Sequence, residues 1–215
     1  MASNDTPDLV ETLERMGFTQ CAVVEIILVT VNSEGSFNAA PMGVRLMGRR
    51  LELSPYKTSA TYANLMRGGR ASINTTLDPL LFLATAFKEE VADQPHVEPD
   101  MRLQGADSTI IVEVQRGAST HGERGLFTAT PVKITMGEVY PPVFSRGRSQ
   151  AVEAVIHATR VKAFIEQGRV REAEALLRKI DDCVATVRRV SPPGSPEHTV
   201  VDKLEDMIPG WRVQA

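Results

Sequence analysis

The sequence predicts a mainly β fold with α-helices (α+β), in which an antiparallel β-barrel is followed by a C-terminal helical hairpin. Short segments rich in β-branched residues fill the first part of the chain, and tight turns such as 32–35 and 48–50 join them. After residue 150 the apolar residues recur at the spacing of an α-helix. We therefore expect a barrel domain over 1–140, and over 141–215 a helical hairpin and tail packed on the barrel or at a dimer interface.

Local patterns predict the elements in chain order. A short helix over 8–16 begins at Asp8, whose carboxylate can cap it, and ends at Gly17. The predicted strands are 21–32, 36–47, 51–56, 70–76, 108–114 and 126–139, with the glycine-rich segment 116–125 as a turn. The further predicted helices are 60–66, the strongly apolar 80–88, two amphipathic helices separated by Gly168, and a short one over 199–211. The acidic segment 89–105 is predicted as a loop that could act as a mobile lid.

The composition limits the classes of function. A net charge of −3 gives no electrostatic reason to expect a nucleic acid as partner. The apolar run 22–31 contains Glu25 and is too short to span a bilayer, and residues 1–8 lack the features of a signal peptide. We therefore expect no membrane partner and a cytoplasmic protein. Cys21 and Cys183 lie in apolar contexts and are expected to be buried thiols in a reducing compartment.

The most informative stretch lies in the second predicted strand and reads Asn-Ala-Ala-Pro-Met-Gly-Val over 38–44. Strand centres rarely contain Gly and Pro, because Gly leaves a gap and Pro removes a ladder donor. One interpretation is a flat aromatic ligand that lies against this strand and bonds to its backbone. The alternative is a β-bulge at a barrel corner. The candidate ligand-binding residues here are Asn38, Ala40, Pro41, Met42, Gly43 and Val44.

A hydroxyl-rich turn follows the third predicted strand and leads into a helix. Its candidate binding residues are Tyr56, Lys57, Thr58, Ser59 and Thr61. One interpretation is a phosphate cradle, because a helix start offers free N–H groups, the lysine adds charge and the hydroxyls add donors. The alternative is that Thr58 or Ser59 is merely the N-cap of the helix while Lys57 is solvated. The sequence leaves both interpretations open.

Three further polar residues are candidates. Asn74, near the end of strand 70–76, could bond to the polar edge of a ligand or satisfy the turn before Asp78. His157 and Arg160 lie three residues apart on one helix face, outside the main apolar stripe. They could reach a ligand across a dimer interface, or they could form only a polar helix face.

Other catalytic patterns are missing from the sequence. His96, His121 and His198 lie in separate predicted loops and lack the spacing of metal ligands. No serine lies in a nucleophile elbow, and neither a Rossmann fingerprint nor a P-loop occurs. We therefore predict no metal site, and the sequence identifies no catalytic residue.

Four motifs occur together in this chain. The run T-V-N-x-x-G-x-x-N-A-A-P-M-G-V covers 30–44, and Y-K-x-S-x-T-Y-x-N covers 56–64. I-N-T-T-x-D-P covers 73–79, and E-A-V-I-H-A-T-R covers 153–160. In combination they resemble a family of unassigned function within the flavin-reductase-like, FMN-binding split-barrel superfamily. The resemblance extends over about residues 22–189.

The resemblance implies a six-stranded split barrel that forms a homodimer with FMN at the subunit interface. By position, the strand 39–44 would face the isoalloxazine ring, and the turn 56–61 would hold the ribityl phosphate. Asn74 would lie near the edge of the flavin. The helical hairpin of a second subunit, with His157 and Arg160, would close the site.

The function expected from this resemblance is that of an FMN-binding protein, and more specifically a flavin-dependent oxidoreductase of unknown substrate. The bound flavin would accept hydride from a reduced nicotinamide or another small donor, so that no acid or base side chain is required. One alternative is a protein that binds or stores FMN, or a related cofactor such as a deazaflavin or haem, without turnover. Another is a structural dimer that has lost its site.

Overall fold

The computed structural model describes residues 8–115, 119–137 and 143–213. The chain folds as two compact units. The barrel unit comprises 1–76 and 96–139, and the helical unit comprises 77–95 and 140–215. The segment 77–95 thus groups with the helical residues, and the predicted division of the chain at residue 140 stays a prediction.

The barrel unit is a closed antiparallel sheet with two short helices. Its strands are β1 Val23–Val31, β2 Phe37–Met47, β3 Arg50–Leu53, β4 Gly69–Thr75, β5 Ser108–Val114, β6 Ser119–His121 and β7 Arg124–Met136. Its helices are α1 Leu9–Arg15 and α2 Ala60–Met66. The strand order is β3-β2-β1-β4-β5-β7, and β3 also pairs with β7, which closes six strands into a barrel. The predicted α+β split-barrel fold is confirmed.

The barrel core is built from alternate strand residues that point inward. Ile26 and Leu28 of β1 and Val44 of β2 are 0% exposed and belong to one hydrophobic cluster. Leu13 of α1 and Leu65 of α2 join the same cluster. Both helices therefore cover parts of the barrel core, and Asp8 caps α1 as predicted, since its carboxylate accepts a hydrogen bond from the N–H of Val10.

The small-residue strand β2 is regular. Its pairing with β1 runs from Val23 opposite Arg45 to Val31 opposite Phe37 without a register shift. The alternative interpretation of this stretch as a bulge is therefore wrong. The barrel does contain a bulge, but it lies on β7, where the pairing with β5 shifts between Ile111 and Val112.

The helical unit consists, within the described residues, of α3 Pro79–Ala86, α4 Arg146–Glu166, α5 Val170–Val190 and α6 Pro196–Val213. Helices α4 and α5 form the predicted hairpin, with Gly168 at a φ of 69° in the turn between them. Phe87, which follows α3, stacks on Trp211 of α6 at a centroid distance of 5.3 Å. None of the helices described is both long and apolar enough to cross a lipid bilayer.

A charged cluster joins α5 to α6. Arg188 donates to the carboxylates of Asp202 and Glu205 at 2.6 Å each. His198 lies in the first turn of α6, so the prediction that it sits in a loop is wrong. One ring nitrogen, Nε2, is 2.9 Å from the carbonyl oxygen of Ser191. These contacts fix the end of α5 against α6.

Several local predictions need correction. The strand predicted over 51–56 ends at Leu53, and the turn predicted over 116–125 contains the short strand β6. Residues 116–118 of that turn, and residues 138–139 of the last predicted strand, lie outside the described residues. Cys183 is buried as expected, but Cys21 is exposed and adopts a φ of 66° in the turn before β1. Because burial is its main cause, the raised pKa of Cys183, about 11, marks an unreactive thiol.

Candidate functional site

The candidate residues of β2 point to two different sides of the barrel wall. Met42 packs against the barrel core and Val44 is completely buried in it. Because side chains alternate along a strand, Ala40 shares their side, whereas Pro41 and Gly43 point outward. Among the candidate residues of this stretch, Pro41 and Gly43 are therefore the ones on the outer face, where a ligand outside the barrel could contact them. Ala40, Met42 and Val44 can contribute backbone groups.

Gly43 also has a structural reason to be small. A Cβ atom added at Gly43 would lie 2.8 Å from Cγ1 of Val23 on the neighbouring strand. That distance is too short for two carbon atoms, so the glycine relieves crowding between β1 and β2. The glycine thus adds no side chain to the outer face of β2, where Val23 and the Glu25 carboxylate, 3.5 Å from that Cβ position, lie beside it.

Asn74 lies on the same outer face as Pro41. Both residues pair with Ile27 of β1, one from each side, so they are separated by two strand spacings, or about 10 Å. Asn74 is 0% exposed, and its carboxamide oxygen accepts hydrogen bonds from the Leu103 N–H at 3.0 Å and the Thr109 hydroxyl at 2.9 Å. These bonds hold the segment 96–104 against β4. Contact between Asn74 and a flavin stays a prediction.

The hydroxyl-rich turn, residues 56–59, separates into bonded and exposed side chains. Ser59 is the N-cap of α2: its hydroxyl accepts from the N–H of Tyr62 and donates to the carbonyl of Tyr56 at 2.7 Å. The N-cap interpretation is therefore confirmed for Ser59. Lys57 and Thr58 are exposed, and within the described residues their side chains make no hydrogen bond or ion pair. This leaves an ammonium group and a hydroxyl side by side and available to an anion.

The residues at the start of β7 hold the turn 56–59 in place. The Lys57 N–H donates to the carbonyl of Glu123 at 2.9 Å. The guanidinium of Arg124 lies 3.9 Å from the centre of the Tyr56 ring and donates to the carbonyl of Ser54 at 2.8 Å. The turn is thus bound to the start of β7, and Arg124 adds positive charge beside it.

A network of polar side chains joins β2 to α2 and includes two of the predicted binding residues. The Asn38 amide of β2 donates to the Thr61 hydroxyl of α2 at 3.2 Å, so the structure brings these two candidates together. Next to them, the Asn64 amide donates to the hydroxyl of Thr30 at 2.9 Å, and Arg67 donates to the Asn64 oxygen at 2.8 Å. Because Thr61 and Asn64 are buried, these bonds mainly fix α2 on the β1–β2 hairpin.

Sequence reasoning missed Arg124 and Gly125. A Cβ atom added at Gly125 would lie 2.4 Å from the Tyr62 ring, so this glycine lets the ring of α2 pack on β7. Both residues fall in the segment 116–125, which the sequence predicts only as a turn. A signal did exist, since a glycine within a strand often marks a close approach of other atoms, but the residue that approaches Gly125 could not be inferred from the sequence.

His157 and Arg160 belong to the helical unit. His157 is only 7% exposed, so the interpretation as a polar helix face is wrong for this residue. Its Nε2 lies 3.2 Å from the Glu153 carboxylate, whereas the buried Nδ1 has no partner within the described residues. Burial lowers the pKa of His157; Glu153 opposes this effect, and the positive charges of Lys179 and Arg160 add to it. That His157 and Arg160 of a second subunit lie over a flavin stays a prediction.

Residues 24–138 match the family model described as "Protein of unknown function (DUF447) N-terminal domain". The chain belongs to this family. The resemblance identified from the sequence motifs is thereby confirmed. A crystal structure of an FMN-bound protein of the DUF447 family from Methanosarcina mazei is similar to this chain, with 22% identity and a TM-score of 0.72. The match covers 90% of this chain and 98% of that chain.

Two flavin reductases are also similar, but more remotely. The styrene monooxygenase flavin reductase of Pseudomonas putida S12 matches with 18% identity over 59% of this chain and 87% of its own, at a TM-score of 0.47. A flavin reductase domain protein of Arthrobacter sp. FB24 matches with 18% identity over 60% and 86%, at a TM-score of 0.44. At these scores the two matches carry no argument about the present chain.

Proposed function

We propose that this member of the DUF447 family binds FMN and uses it in an oxidoreductase reaction. The observation that carries the proposal is the FMN-bound protein of the same family, whose fold corresponds to this chain over 98% of its length. FMN needs a flat apolar surface for its ring and positive charge for its phosphate. The barrel unit offers both, so the residues present fit the cofactor.

The phosphate is assigned to the polar turn. Lys57 and Thr58 are exposed and have no internal side-chain partner within the described part of the chain, so binding an anion there breaks no existing bond. An ammonium group and a hydroxyl together give charge-assisted hydrogen bonds, which are the stronger kind. Ser59 instead positions the turn through its cap bonds. Tyr56, with Arg124 stacked on it, forms one side of this seat.

The ring is assigned to the outer face of β2. Pro41 and Gly43 have little side-chain bulk, so a planar group can approach the strand closely. FMN, when bound, supplies hydride and electron transfer. The residues of this chain would hold and orient the ring and keep water away from it. Backbone groups near Met42 and Val44 would meet the polar edge of the ring.

We also propose a cytoplasmic homodimer in which a second subunit completes the site. The exposed position of Lys57 and Thr58 supports this, because a flavin phosphate held at the surface leaves the ring in need of a cover. In the proposed dimer, the α4–α5 hairpin with His157 and Arg160 provides the cover, and a small molecule such as a reduced nicotinamide delivers the electrons. Light scattering coupled to gel filtration would measure the mass of the assembly.

The test of FMN binding is spectroscopic. The purified protein should be yellow, and titration of FMN into flavin-free protein should quench the fluorescence of the flavin. Lys57→Ala and Thr58→Ala should each weaken FMN binding by about tenfold or more, because each removes a hydrogen bond to a charged group. Lys203→Ala, an equal change of charge at an exposed position of α6, is the matched control and should bind FMN like the wild type. Unchanged affinity in the Lys57 and Thr58 variants would refute the assignment of the phosphate.

Turnover needs a separate measurement. Steady-state oxidation of NADH and NADPH by the FMN-loaded protein distinguishes an oxidoreductase from a protein that only holds the flavin. An oxidation rate above that of free FMN at the same concentration is expected. A rate equal to that of free FMN, with FMN binding intact, would replace the oxidoreductase by a flavin carrier.

A further inference from the structure

We propose that the barrel unit has a second ligand site, which binds a small organic molecule that carries a carboxylate or phosphate on an apolar body. The site is a cleft of about 460 Å³ on the outside of β4, β5 and β7. Its lining residues are Arg70, Pro99, Asp100, Met101, Arg102, Thr109, Ile111, Val132, Lys133 and Thr135. None of these belongs to the residues assigned to FMN. The volume lies within the range of small-molecule sites.

One wall of the cleft is a hairpin, residues 96–104, fixed by buried polar groups. The Glu98 N–H donates to the carbonyl of Arg102 at 2.8 Å, which closes the hairpin. The Ser72 hydroxyl donates to the carbonyl of Met101 at 2.6 Å, and the Leu103 N–H donates to Asn74. Both anchoring side chains are 0% exposed. The wall therefore has a defined position.

The backbone at the tip of this wall is strained. Met101 adopts a φ of 68°, a conformation that a non-glycine residue rarely takes. The hydrogen bond from Ser72 holds the Met101 carbonyl, and thus this conformation, in place. Strained residues that the surrounding structure keeps in place occur preferentially at functional sites.

The bulge on β7 shapes the floor of the cleft. In the register with β5, Lys133 is opposite Ile111 and Pro131 is opposite Val112, so Val132 is the extra residue. Consecutive residues of a regular strand point to opposite faces, yet Val132 and Lys133 both line the cleft. The bulge thus adds an apolar side chain and a cation to the same floor, as bulges beside binding sites do.

The charges of the lining residues select the ligand. Arg70, Arg102 and Lys133 carry three positive charges, against the single carboxylate of Asp100. Across the residues that the structure describes, the side chains of these three cations make no hydrogen bond or ion pair. Asp100 is partly engaged, because it accepts from the N–H of Arg102 at 3.3 Å. A planar guanidinium fork and an ammonium group suit an oxyanion.

The rest of the lining suits the body of such a ligand. Ile111 and Val132 form an apolar surface beside the cations, and Thr135 adds a hydroxyl. Thr109 is already engaged with Asn74, so it supports the floor more than the ligand. An apolar body carrying one oxyanion satisfies both parts of the cleft, whereas a neutral or cationic molecule leaves the three cations uncompensated.

Calorimetric titration with phenyl phosphate and with benzoate tests the site, and benzyl alcohol serves as the uncharged probe. At least one anion should bind the purified protein, and benzyl alcohol should not. Arg102→Ala and Lys133→Ala should each weaken that binding by roughly tenfold. Binding of phenyl phosphate alone identifies a phosphate ester as the ligand class, binding of benzoate alone identifies a carboxylate, and binding of both identifies the shared oxyanion.

Two controls separate this site from the flavin. Lys57→Ala should retain anion binding in the cleft, because Lys57 does not line it, and Lys203→Ala controls for net charge. The FMN content of Arg102→Ala and Lys133→Ala should be unchanged in the visible spectrum. The proposal fails if neither anion binds, or if binding is lost in Lys57→Ala and kept in the two cleft variants. The titration is repeated on flavin-free Lys57→Ala protein, so that anion binding at the proposed phosphate seat is not counted as binding in the cleft, and its outcome then does not depend on whether the protein binds FMN.

Discussion

The polar turn and the 96–104 hairpin both lie against the barrel wall, but their polar groups have different tasks. Asn74, beneath the hairpin, is completely buried and satisfies its hydrogen bonds within the protein. In the turn, the Ser59 hydroxyl also makes its hydrogen bonds within the protein, whereas the side chains of Lys57 and Thr58 are exposed. Residue type alone does not distinguish these roles. The bonds that a polar side chain already makes decide whether it supports the chain or remains available to a ligand.

The largest effect is expected where a buried polar group supports the hairpin. Asn74→Ala leaves the Leu103 N–H and the Thr109 hydroxyl without their acceptor in a buried place. The free energy of unfolding should fall by about 2–4 kcal/mol, because each unsatisfied buried group costs on the order of 1–3 kcal/mol. Urea unfolding measures the loss. Lys57→Ala is the comparison, and its unfolding free energy should stay within about 0.5 kcal/mol of the wild type.

The Asn74→Ala and Lys57→Ala variants can also show that the hairpin and the turn do not differ in role. If Asn74→Ala were as stable as the wild type but bound FMN weakly, Asn74 would serve the ligand and not the hairpin. The polar groups of the turn and those beneath the hairpin would then both bind the ligand.

The two glycines Gly125 and Gly43 also differ in whether they serve the packing of the protein or the proposed ligand. Gly125→Ala places a Cβ atom 2.4 Å from the Tyr62 ring, which packs edge-on against Phe127 at 5.6 Å. The ring cannot move without disturbing the core, so a loss of about 1–3 kcal/mol is expected. Gly43→Ala meets Cγ1 of Val23, a residue that is 52% exposed and can rotate away, so it should lose less than about 1 kcal/mol.

Thermal unfolding ranks the two glycine variants directly. A larger loss in Gly43→Ala than in Gly125→Ala would show that the β2 strand tolerates no added bulk even without a ligand. FMN affinity should respond in the opposite order, since Gly43 and not Gly125 is assigned to the ring.

Two neighbouring hydroxyls give the next smaller effect. Ser59→Ala removes the cap of α2 and should cost about 1 kcal/mol of unfolding free energy. Thr58→Ala removes an exposed hydroxyl and should change the unfolding free energy by less than about 0.5 kcal/mol. Differential scanning calorimetry of both variants gives the comparison, with FMN affinity as the second readout. Equal stability of the two variants would contradict the separation of roles within the turn.

The sequence predicts the barrel because the strand signals are local: β-branched runs, tight turns and helical spacing are each visible within about ten residues. The run 38–44 and the turn 56–59 can be identified in the sequence for the same reason. The hydrogen bond between Asn74 and Leu103 cannot, because it joins residues 29 positions apart. The bulge at Val132 depends on the register with β5, and a register is a property of two strands, not of one sequence segment.

His157 represents a third state, a polar group that is buried but, among the residues that the structure describes, only partly hydrogen-bonded. Burial lowers its folded-state pKa below the ordinary value of 6.5, with Glu153 opposing and Lys179 and Arg160 reinforcing the shift. As the pH falls below 6.5, the unfolded chain takes up a proton that the folded chain resists, so this residue reduces stability toward acid and has no such effect above that value.

His157→Gln should therefore lose less stability than the wild type between about pH 7.5 and about pH 5.5, measured by urea unfolding at each pH. His96→Gln, the same replacement at a mostly exposed histidine, is the control for the change of side chain. The expected difference is smaller than the effects above, because the Glu153 carboxylate offsets part of the shift. An identical pH dependence in His157→Gln and the wild type would show that folding does not lower the pKa of His157, and this residue would then not differ from the satisfied polar groups.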